Sequence, residues 1–212
     1  MATRKKKKIV FVCTGNTCRS PMAQLLLAKH LNEQKLKGFD VRSAGTAAKK
    51  GDVINPKSAP VLGENGIEYD KFSSTKLTEK LLLDAFAVVC MTERQREYLM
   101  DMRWNALKKA DKPLDDAENN VYSFAEITGY EILDPYGKDI DCYRYVFGLL
   151  AAGMPTLTEK LNLKGNAWEE KPKAPRAVAT AKKTSAKPKK KTPEKADETP
   201  ATDGENQQLS IF

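Results

Sequence analysis

Histidine and cysteine are scarce in this chain of 212 residues, which contains one histidine and four cysteines. The histidine, His30, lies outside any cluster of metal-ligating residues, and no two cysteines form a CxxC pair of the kind that binds zinc. The cysteine spacing does not match a secreted disulfide framework, so a reducing compartment is the simpler interpretation. We therefore expect no metal ion and no cofactor.

Long apolar runs are also missing. No stretch approaches the roughly 20 apolar residues that a membrane span requires. The basic residues Arg4–Lys8 and the apolar run after them resemble the start of a signal peptide, but the run is too short and leads directly into polar residues. The sequence predicts a soluble cytoplasmic protein that does not contact a membrane.

The net charge of +8 is concentrated near the two ends of the chain. Lysine and arginine cluster at residues 4–8 and again from Lys171 to Lys191, a stretch without acidic residues. From about Lys171 to Glu205, lysine, alanine, proline and threonine dominate, and such a segment buries too little apolar surface to offset its ordering entropy. We predict a basic lead at 1–7, a folded domain at 8–165 and a disordered tail at 166–212 that ends in a short apolar motif.

The most informative stretch runs from Ile9 to Leu27. Its apolar start, Ile9–Val12, predicts a buried strand, and Ser20-Pro21 predicts a helix start with Ser20 as the N-cap. The polar loop between them lies where backbone N–H groups and the helix dipole favour an anion. Such a loop suits a tetrahedral oxyanion such as phosphate.

Two side chains of this loop suit phosphate-ester chemistry. Arg19 can hold two phosphate oxygens through its guanidinium, and Cys13 can attack phosphorus once its thiol is ionised. Free thiols have a pKa of about 8.5, whereas thiols at helix N-termini or beside cations fall to roughly 3.5–7.5. The alternative is that Cys13 is a small buried apolar residue; its surroundings favour a nucleophile.

Strands and helices alternate along the chain. This alternation predicts an α/β fold with a parallel sheet and right-handed crossovers. Such sheets bind ligands beyond the carboxyl ends of their strands, which is where the Cys13 loop lies. After the first strand, further strands are predicted near 39–42, 85–91 and 121–124, and helices near 22–37, 55–66, 79–84, 92–102 and 141–163.

The segment CTGNTCRSPMA, Cys13–Ala23, resembles the signature of the low-molecular-weight protein tyrosine phosphatase family. The chain also contains the motif Asp134-Pro135-Tyr136-Gly137 of that family, and the resemblance covers roughly Lys8–Leu163. It implies a three-layer sandwich with a central four-stranded parallel sheet flanked by helices. It also implies a protein phosphatase that works through a phosphocysteine intermediate.

The resemblance implies roles for individual residues. Cys13 is the nucleophile, Arg19 clamps the phosphate, and Asp134 is the general acid that then activates water; on its own, Asp134 would be interpreted as an ordinary turn residue. Ser43 matches a position that supports the loop through Asn16, and Ser20 can donate a hydrogen bond to the Cys13 thiolate. The loop residues expected to bind phosphate are Thr14, Gly15, Asn16, Thr17, Cys18 and Ser20.

Thr17 and Tyr136 are the predicted specificity residues. Tyrosine-directed members of the family carry a larger aliphatic residue at the position of Thr17, and the threonine form resembles the bacterial protein arginine phosphatases. A smaller wall with a hydroxyl suits a guanidinium, and Tyr136 at the pocket lip can stack on one. We predict hydrolysis of phosphoarginine on proteins, with phosphotyrosine as the alternative.

Cys18 is a candidate redox residue, because it lies in the same loop as Cys13 and could form a reversible disulfide with it. An inert packing role is the alternative. Arsenate reductases share this loop but need further, closely spaced cysteines. Cys90 falls in an apparent buried strand and Cys142 on the last helix, so a reductase is the weaker hypothesis.

The tail suggests partners. Gln208–Phe212 resembles the pentapeptide with which bacterial proteins bind the replication sliding clamp, and a terminal apolar patch on a tether is typical of a docking peptide. The basic block could contact nucleic acid through phosphates. The competing class of function is therefore a non-enzymatic phosphate-binding module that the tail tethers to DNA or to the clamp.

Overall fold

The computed structural model describes residues 5–113 and 119–165. The predicted tail, with its basic block and terminal motif, lies outside them. The described strands are β1 (Lys7–Cys13), β2 (Phe39–Gly45), β3 (Ala87–Cys90) and β4 (Val121–Ser123). The described helices are α1 (Arg19–Glu33), α2 (Ser58–Glu64), α3 (Glu79–Asp84), α4 (Glu93–Lys109), α5 (Phe124–Thr128) and α6 (Ile140–Lys160).

The four strands form one parallel sheet in the order β2-β1-β3-β4. β1 pairs with β2 along its whole length, so that Cys13 lies opposite Gly45 at the carboxyl end. The chain winds from β1 to β2 on one side and then returns past β1 to β3, so the direction of winding reverses between β1 and β3. Doubly wound sheets bind ligands at such a reversal, and the loop after β1 begins there.

Alternate residues of the strands face two separate cores, which gives the fold three layers. Ile9 and Phe11 pack in the core that contains α1, α2, α5 and α6. Val10 and Val12 face the opposite core with α3 and α4. Burial on both faces explains why β1 has an uninterrupted apolar sequence. The predicted α/β sandwich with a central four-stranded parallel sheet is confirmed.

α1 is shorter than expected, since it ends at Glu33 and not at Lys37. Lys35 adopts a left-handed φ of 55°, and the Leu36 N–H donates back to the Leu31 carbonyl at 2.8 Å. This pattern of hydrogen bonds is a Schellman-type helix ending, which usually has glycine at the left-handed position. Because lysine and not glycine occupies that position, the sequence does not indicate that the helix ends there.

The short helix α5 is an element that the apolar pattern does not predict. It follows β4 directly, because Ser123 and Glu126 form a capping box that starts the helix. α4 also runs further than expected, to Lys109. Within the described residues, none of the helices combines the length and the apolar character that crossing a membrane requires.

Candidate active site

Residues 13–19 form the loop between β1 and α1, and neighbouring segments hold its backbone. The Thr46 N–H donates to the Cys13 carbonyl at 3.0 Å, and the Asn55 N–H donates to the Thr17 carbonyl at 2.8 Å. These carbonyls of the loop thus accept hydrogen bonds from residues outside the loop. Of the residues that the structure describes, none accepts a hydrogen bond from the backbone N–H groups of residues 14–18. These donors, at the amino end of α1, form a nest for an anion.

Asn16 shapes this loop from the inside. It is completely buried and adopts a left-handed φ of 54°. Its Nδ2 donates to Ser20 Oγ at 2.9 Å, and its Oδ1 accepts from the Thr75 N–H at 2.7 Å. Both ends of the amide are therefore bonded, and they fix the turn of the loop.

The expected support from Ser43 takes a different form in the structure. Its hydroxyl donates to Gln24 Oε1 on α1 at 2.6 Å, whereas the bonds of Asn16 run to Ser20 and Thr75. The reason is the register of the sheet: Ser43 lies opposite Phe11, whose side chain faces the α1 layer. Ser43 therefore ties β2 to α1 and not to the Cys13 loop directly.

The Ser20 hydroxyl contacts the sulfur of Cys13, with Oγ and Sγ 3.0 Å apart. Ser20 is not the N-cap that its sequence predicts, since α1 begins two residues earlier than expected, with Cys18 in the N-cap position and no side-chain cap. Ser20 Oγ accepts from Asn16, so its own proton is directed to the sulfur or to the Ala44 carbonyl at 3.3 Å. A hydroxyl in this position can stabilise a thiolate.

Arg19 joins the Cys13 loop to the segment around Asp134. Its side chain is almost completely buried; Nη1 donates to the Ile132 carbonyl at 3.2 Å, and Nη2 lies 2.5 Å from Asp134 Oδ2. Nε is buried too, and no described residue accepts its hydrogen bond. Because an unsatisfied buried donor costs about 1–3 kcal/mol, an anion in the loop would gain from binding Nε.

Asp134 lies on an exposed loop, residues 132–139, which we call the acid loop. The Ile132 N–H anchors its start to the Met91 carbonyl at 2.9 Å. Asp134 Oδ1 accepts from the Tyr136 N–H at 3.2 Å, which directs Oδ2 toward Arg19. The side chains of Leu133 and Tyr136 are 68% and 75% exposed.

A cavity of about 240 Å³ lies between the Cys13 loop and the acid loop. It is smaller than typical drug-sized pockets of about 300–1,000 Å³. The structure thus brings together the predicted nucleophile, clamp, acid and specificity residues, while Asn16 and Ser20 support the loop from behind. The lining residues are Cys13, Thr14, Gly15, Thr17, Cys18, Arg19, Asp134 and Tyr136.

Comparison with known proteins agrees with this geometry. Residues 8–167 match the family described as low molecular weight phosphotyrosine protein phosphatase. The chain belongs to this family. It is accordingly a cysteine-dependent protein phosphatase, and the predicted enzyme class is confirmed.

Named relatives within the family differ in the substrate that their names give. The chain is 35% identical over 154 residues to a protein-arginine-phosphatase of Geobacillus stearothermophilus, covering 73% of this chain and 95% of that protein. It is 27% identical over 159 residues to the probable low molecular weight protein-tyrosine-phosphatase EpsP of Ralstonia nicotianae, covering 75% and 99%. A mutant of YwlE from Bacillus subtilis has a similar structure, with a TM-score of 0.64, 30% identity and coverage of 74% and 99%.

The local environment raises the thiol pKa of three cysteines of this phosphatase, Cys18, Cys90 and Cys142. Burial raises the pKa of the Cys18 thiol to about 12, an effect that the nearby Ser58 hydroxyl partly offsets. Burial likewise raises the pKa of Cys90, in β3, to about 12. Cys142 lies in the first turn of α6, where its hydrogen bond with Asp139 raises the thiol pKa. Cys90 and Cys142 do not belong to the described residues that line the cavity.

Three residues that support the phosphatase site carry no motif in the sequence. A Cβ atom on Gly45 would lie 2.5 Å from the Thr14 carbonyl oxygen and 2.8 Å from the Asn16 nitrogen, so the loop packs directly on this glycine. Thr75 contributes its backbone: its N–H donates to Asn16 Oδ1 at 2.7 Å, and its carbonyl accepts from the Gly45 N–H at 2.9 Å. Gln95 Nε2 donates to Thr14 Oγ1 at 3.4 Å from the first turn of α4. Only the folded chain reveals these contacts.

Proposed function

We propose that this phosphatase hydrolyses phosphoarginine on proteins through a phosphocysteine intermediate. The observation that carries the proposal is the small cavity that Thr17 and Tyr136 line together with Cys13. The relative whose name specifies arginine is also more similar to this chain, at 35% identity, than EpsP at 27%.

In the first step, the Cys13 thiolate attacks phosphorus. An S–P bond forms while the P–N bond to the arginine side chain breaks. The free N–H groups of residues 14–18 and Arg19 Nε hold the phosphoryl oxygens, and they bind most strongly where charge develops in the transition state. Asp134, across the cavity, donates a proton to the departing guanidine nitrogen.

In the second step, the Asp134 carboxylate takes a proton from water, whose oxygen attacks phosphorus. The P–O bond forms as the P–S bond breaks, and Cys13 leaves as a thiolate. Ser20 Oγ, 3.0 Å from the sulfur, stabilises that leaving group. Both steps need a reduced Cys13, which is why we place the enzyme in the reducing cytoplasm.

Thr17 supports the choice of phosphoarginine. Its side chain is half-buried on the cavity wall, where a short polar side chain leaves room for a planar, charged guanidinium. Tyr136 at the lip offers an aromatic face to the same group. An aromatic lip also suits a phenyl ring, so phosphotyrosine is the second candidate substrate.

The test is a comparison of kcat/KM on two peptides that differ only in phosphoarginine or phosphotyrosine. We expect the wild type to prefer phosphoarginine, and Thr17→Ile to shift the ratio toward phosphotyrosine by about 10–200-fold, the range that one added or removed group in a pocket produces. Thr17→Val, which keeps the size and removes the hydroxyl, separates the two contributions of threonine. A wild type that prefers phosphotyrosine would establish the second candidate.

The two predictions about the tail stay proposals. Gln208–Phe212 is proposed to bind the replication sliding clamp, and the basic block to contact nucleic acid. A clamp pulldown by the full chain, compared with a chain lacking Leu209–Phe212, tests the first. Equal capture by both chains would remove the clamp from the list of partners.

A further inference from the structure

Three separate segments meet where the parallel strands β1 and β2 begin, away from the cavity. We call this end of the sheet the amino edge. The Lys7 N–H, at the start of β1, donates to the Gly38 carbonyl at 2.9 Å, and the Lys37 N–H donates to the Gly165 carbonyl at 3.3 Å. These bonds bring the lead, the α1–β2 connection and the segment after α6 side by side. We call the lysines that they gather, Lys5, Lys6, Lys35, Lys37 and Lys164, the basic edge.

The charges of the basic edge are exposed and unpaired. All five side chains are exposed, and among the described residues none of them has an acidic partner within 4.0 Å. Two acidic residues at this end are paired with other cations, Asp84 with Lys80 and Asp40 with Arg42, both at 2.8 Å. This leaves the Glu33 carboxylate, at the end of α1, against the five lysines. The amino edge therefore has a surplus of positive charge.

This surplus is local. Residues 9–165 contain equal numbers of basic and acidic residues, so the folded part without its lead has no net charge. The lead and Lys8, which follows it, supply five cationic residues in succession, Arg4–Lys8. The lead places Lys5 and Lys6 beside lysines of two other segments. The basic edge is therefore a local patch of positive charge, because residues 9–165 together have no net charge.

We propose that the basic edge binds the phosphate backbone of nucleic acid. Lysine ammonium groups on flexible stems are point charges that match a repeating row of phosphates without reading sequence. Stable docking to a protein or a membrane usually adds buried aromatic or apolar anchors to such charges. The large apolar side chains exposed among the described residues lie elsewhere: Val53, Tyr98, Trp104, Leu133, Tyr136 and Tyr145.

The basic edge and the cavity can be occupied together. β1 begins at the basic edge and ends at Cys13, and seven residues of strand at about 3.3 Å per residue separate the two by roughly 20 Å. Nucleic acid on the basic edge would therefore leave the cavity open to a phosphorylated protein. We expect the turnover of para-nitrophenyl phosphate to be independent of bound nucleic acid.

The test measures binding of the full chain to a fluorescent DNA duplex of about 20 base pairs by anisotropy, between 50 and 200 mM KCl. One variant changes all five lysines of the basic edge to glutamine. The matched control has the same net charge and changes five other exposed lysines to glutamine: Lys50, Lys71, Lys76, Lys108 and Lys112. The tail is present in every chain, so its contribution is constant.

We expect the edge variant to bind at least about tenfold more weakly, with a salt slope reduced by about 0.9 for each phosphate that the variant no longer neutralises. The control should change the affinity less than about twofold, and both variants should keep wild-type turnover of para-nitrophenyl phosphate, which reports correct folding. Equal weakening in both variants, or no binding by the wild type, would overturn the proposal. Tighter binding of polyglutamate than of a duplex of equal charge would assign the basic edge to acidic proteins and overturn the proposal.

Discussion

The two loops that form the cavity are built in opposite ways. In the Cys13 loop, Cys13, Asn16 and Arg19 are all buried, and hydrogen bonds from the segment after β2, from Thr75 and from within the loop fix its course. In the acid loop, Leu133 and Tyr136 are mostly exposed and Asp134 is half-exposed. The acid loop reaches the Cys13 loop through two bonds to Arg19.

The difference follows from what each loop has to do. An anion nest stabilises a transition state only if its donors are already in place, which requires a buried, cross-bonded loop. The acid loop must admit a protein side chain and release a product, which favours an exposed segment with few packed contacts. The predictions below test this contrast, beginning with the largest expected effect.

Removal of the sulfur should abolish the function of the Cys13 loop. We expect Cys13→Ala to lower turnover of para-nitrophenyl phosphate at least about 10⁴-fold, because no covalent intermediate can form. Cys90→Ala, which removes another buried thiol, should keep near-normal rates. Acid-quenched enzyme should contain phosphocysteine in the wild type and in Cys90→Ala only. Substantial turnover by Cys13→Ala would refute the assigned nucleophile.

Asp134→Asn should remove proton transfer by the acid loop while leaving the anion nest intact. We expect kcat to fall about 10²–10⁴-fold, the usual contribution of a general acid, with little change in inhibition by inorganic phosphate. The control is Asp139→Asn on the same loop, where the side chain accepts from the Cys142 N–H at 2.9 Å and asparagine can still cap α6. Similar losses in the two variants would show that Asp134 acts only through loop structure.

Gly45→Ala tests whether the Cys13 loop tolerates displacement. The added Cβ would meet the backbone of Thr14 and Asn16, and we expect overpacking of about 1–3 kcal/mol, which lowers Tm by about 2–4 °C per kcal/mol. The rate should fall about 10–100-fold, since small misplacements of catalytic groups are costly. Gly148→Ala, in α6 with nothing within 4 Å, should instead raise Tm slightly. A fully active Gly45→Ala would mean that the nest is less rigid than its contacts indicate.

Tyr136→Ala should have a smaller effect, restricted to substrates that reach the lip. Removal of a stacking interaction worth about 0.5–1 kcal/mol corresponds to a 2–5-fold decrease in kcat/KM for phosphoarginine peptides. Tm and inhibition by phosphate should not change, because Tyr136 is 75% exposed. Tyr145→Ala, with similar exposure on α6, provides the control. Identical peptide kinetics in all three proteins would remove Tyr136 from the recognition surface.

Cys18→Ser should affect the basal rate least, and it tests the redox hypothesis. Hydrogen peroxide would oxidise Cys13 to a sulfenic acid, and the Cys18 thiol would then form a disulfide with it and release water. After mild peroxide treatment and dithiothreitol, we expect the wild type and Cys142→Ser to recover activity and Cys18→Ser not to recover. Mass spectrometry should detect the Cys13–Cys18 link. Sulfinic acid at Cys13 in the wild type would exclude this protection.

Ser20 and Asp134 show what the neighbouring residues in the sequence can and cannot predict about a side chain's role. The helix start near Ser20 was predicted correctly, but the prediction that Ser20 caps the helix was wrong, because its hydroxyl contacts Cys13 and Asn16 instead. Asp134 looks like an ordinary turn residue in its own segment. Its place in the site depends on Arg19, which is 115 positions away in the chain.

The sequence by itself determined the strand, loop and helix that carry Cys13 and Arg19, since short-range patterns of burial, turn and helix start are written in consecutive residues. It also determined the α/β architecture through the alternation of apolar segments. Only the tertiary structure decided that Gly45 and Thr75 brace the nest, that Arg19 meets Asp134, and that lysines of three segments share one edge. Those contacts arise from strand order and register, which pair residues that are far apart in the chain.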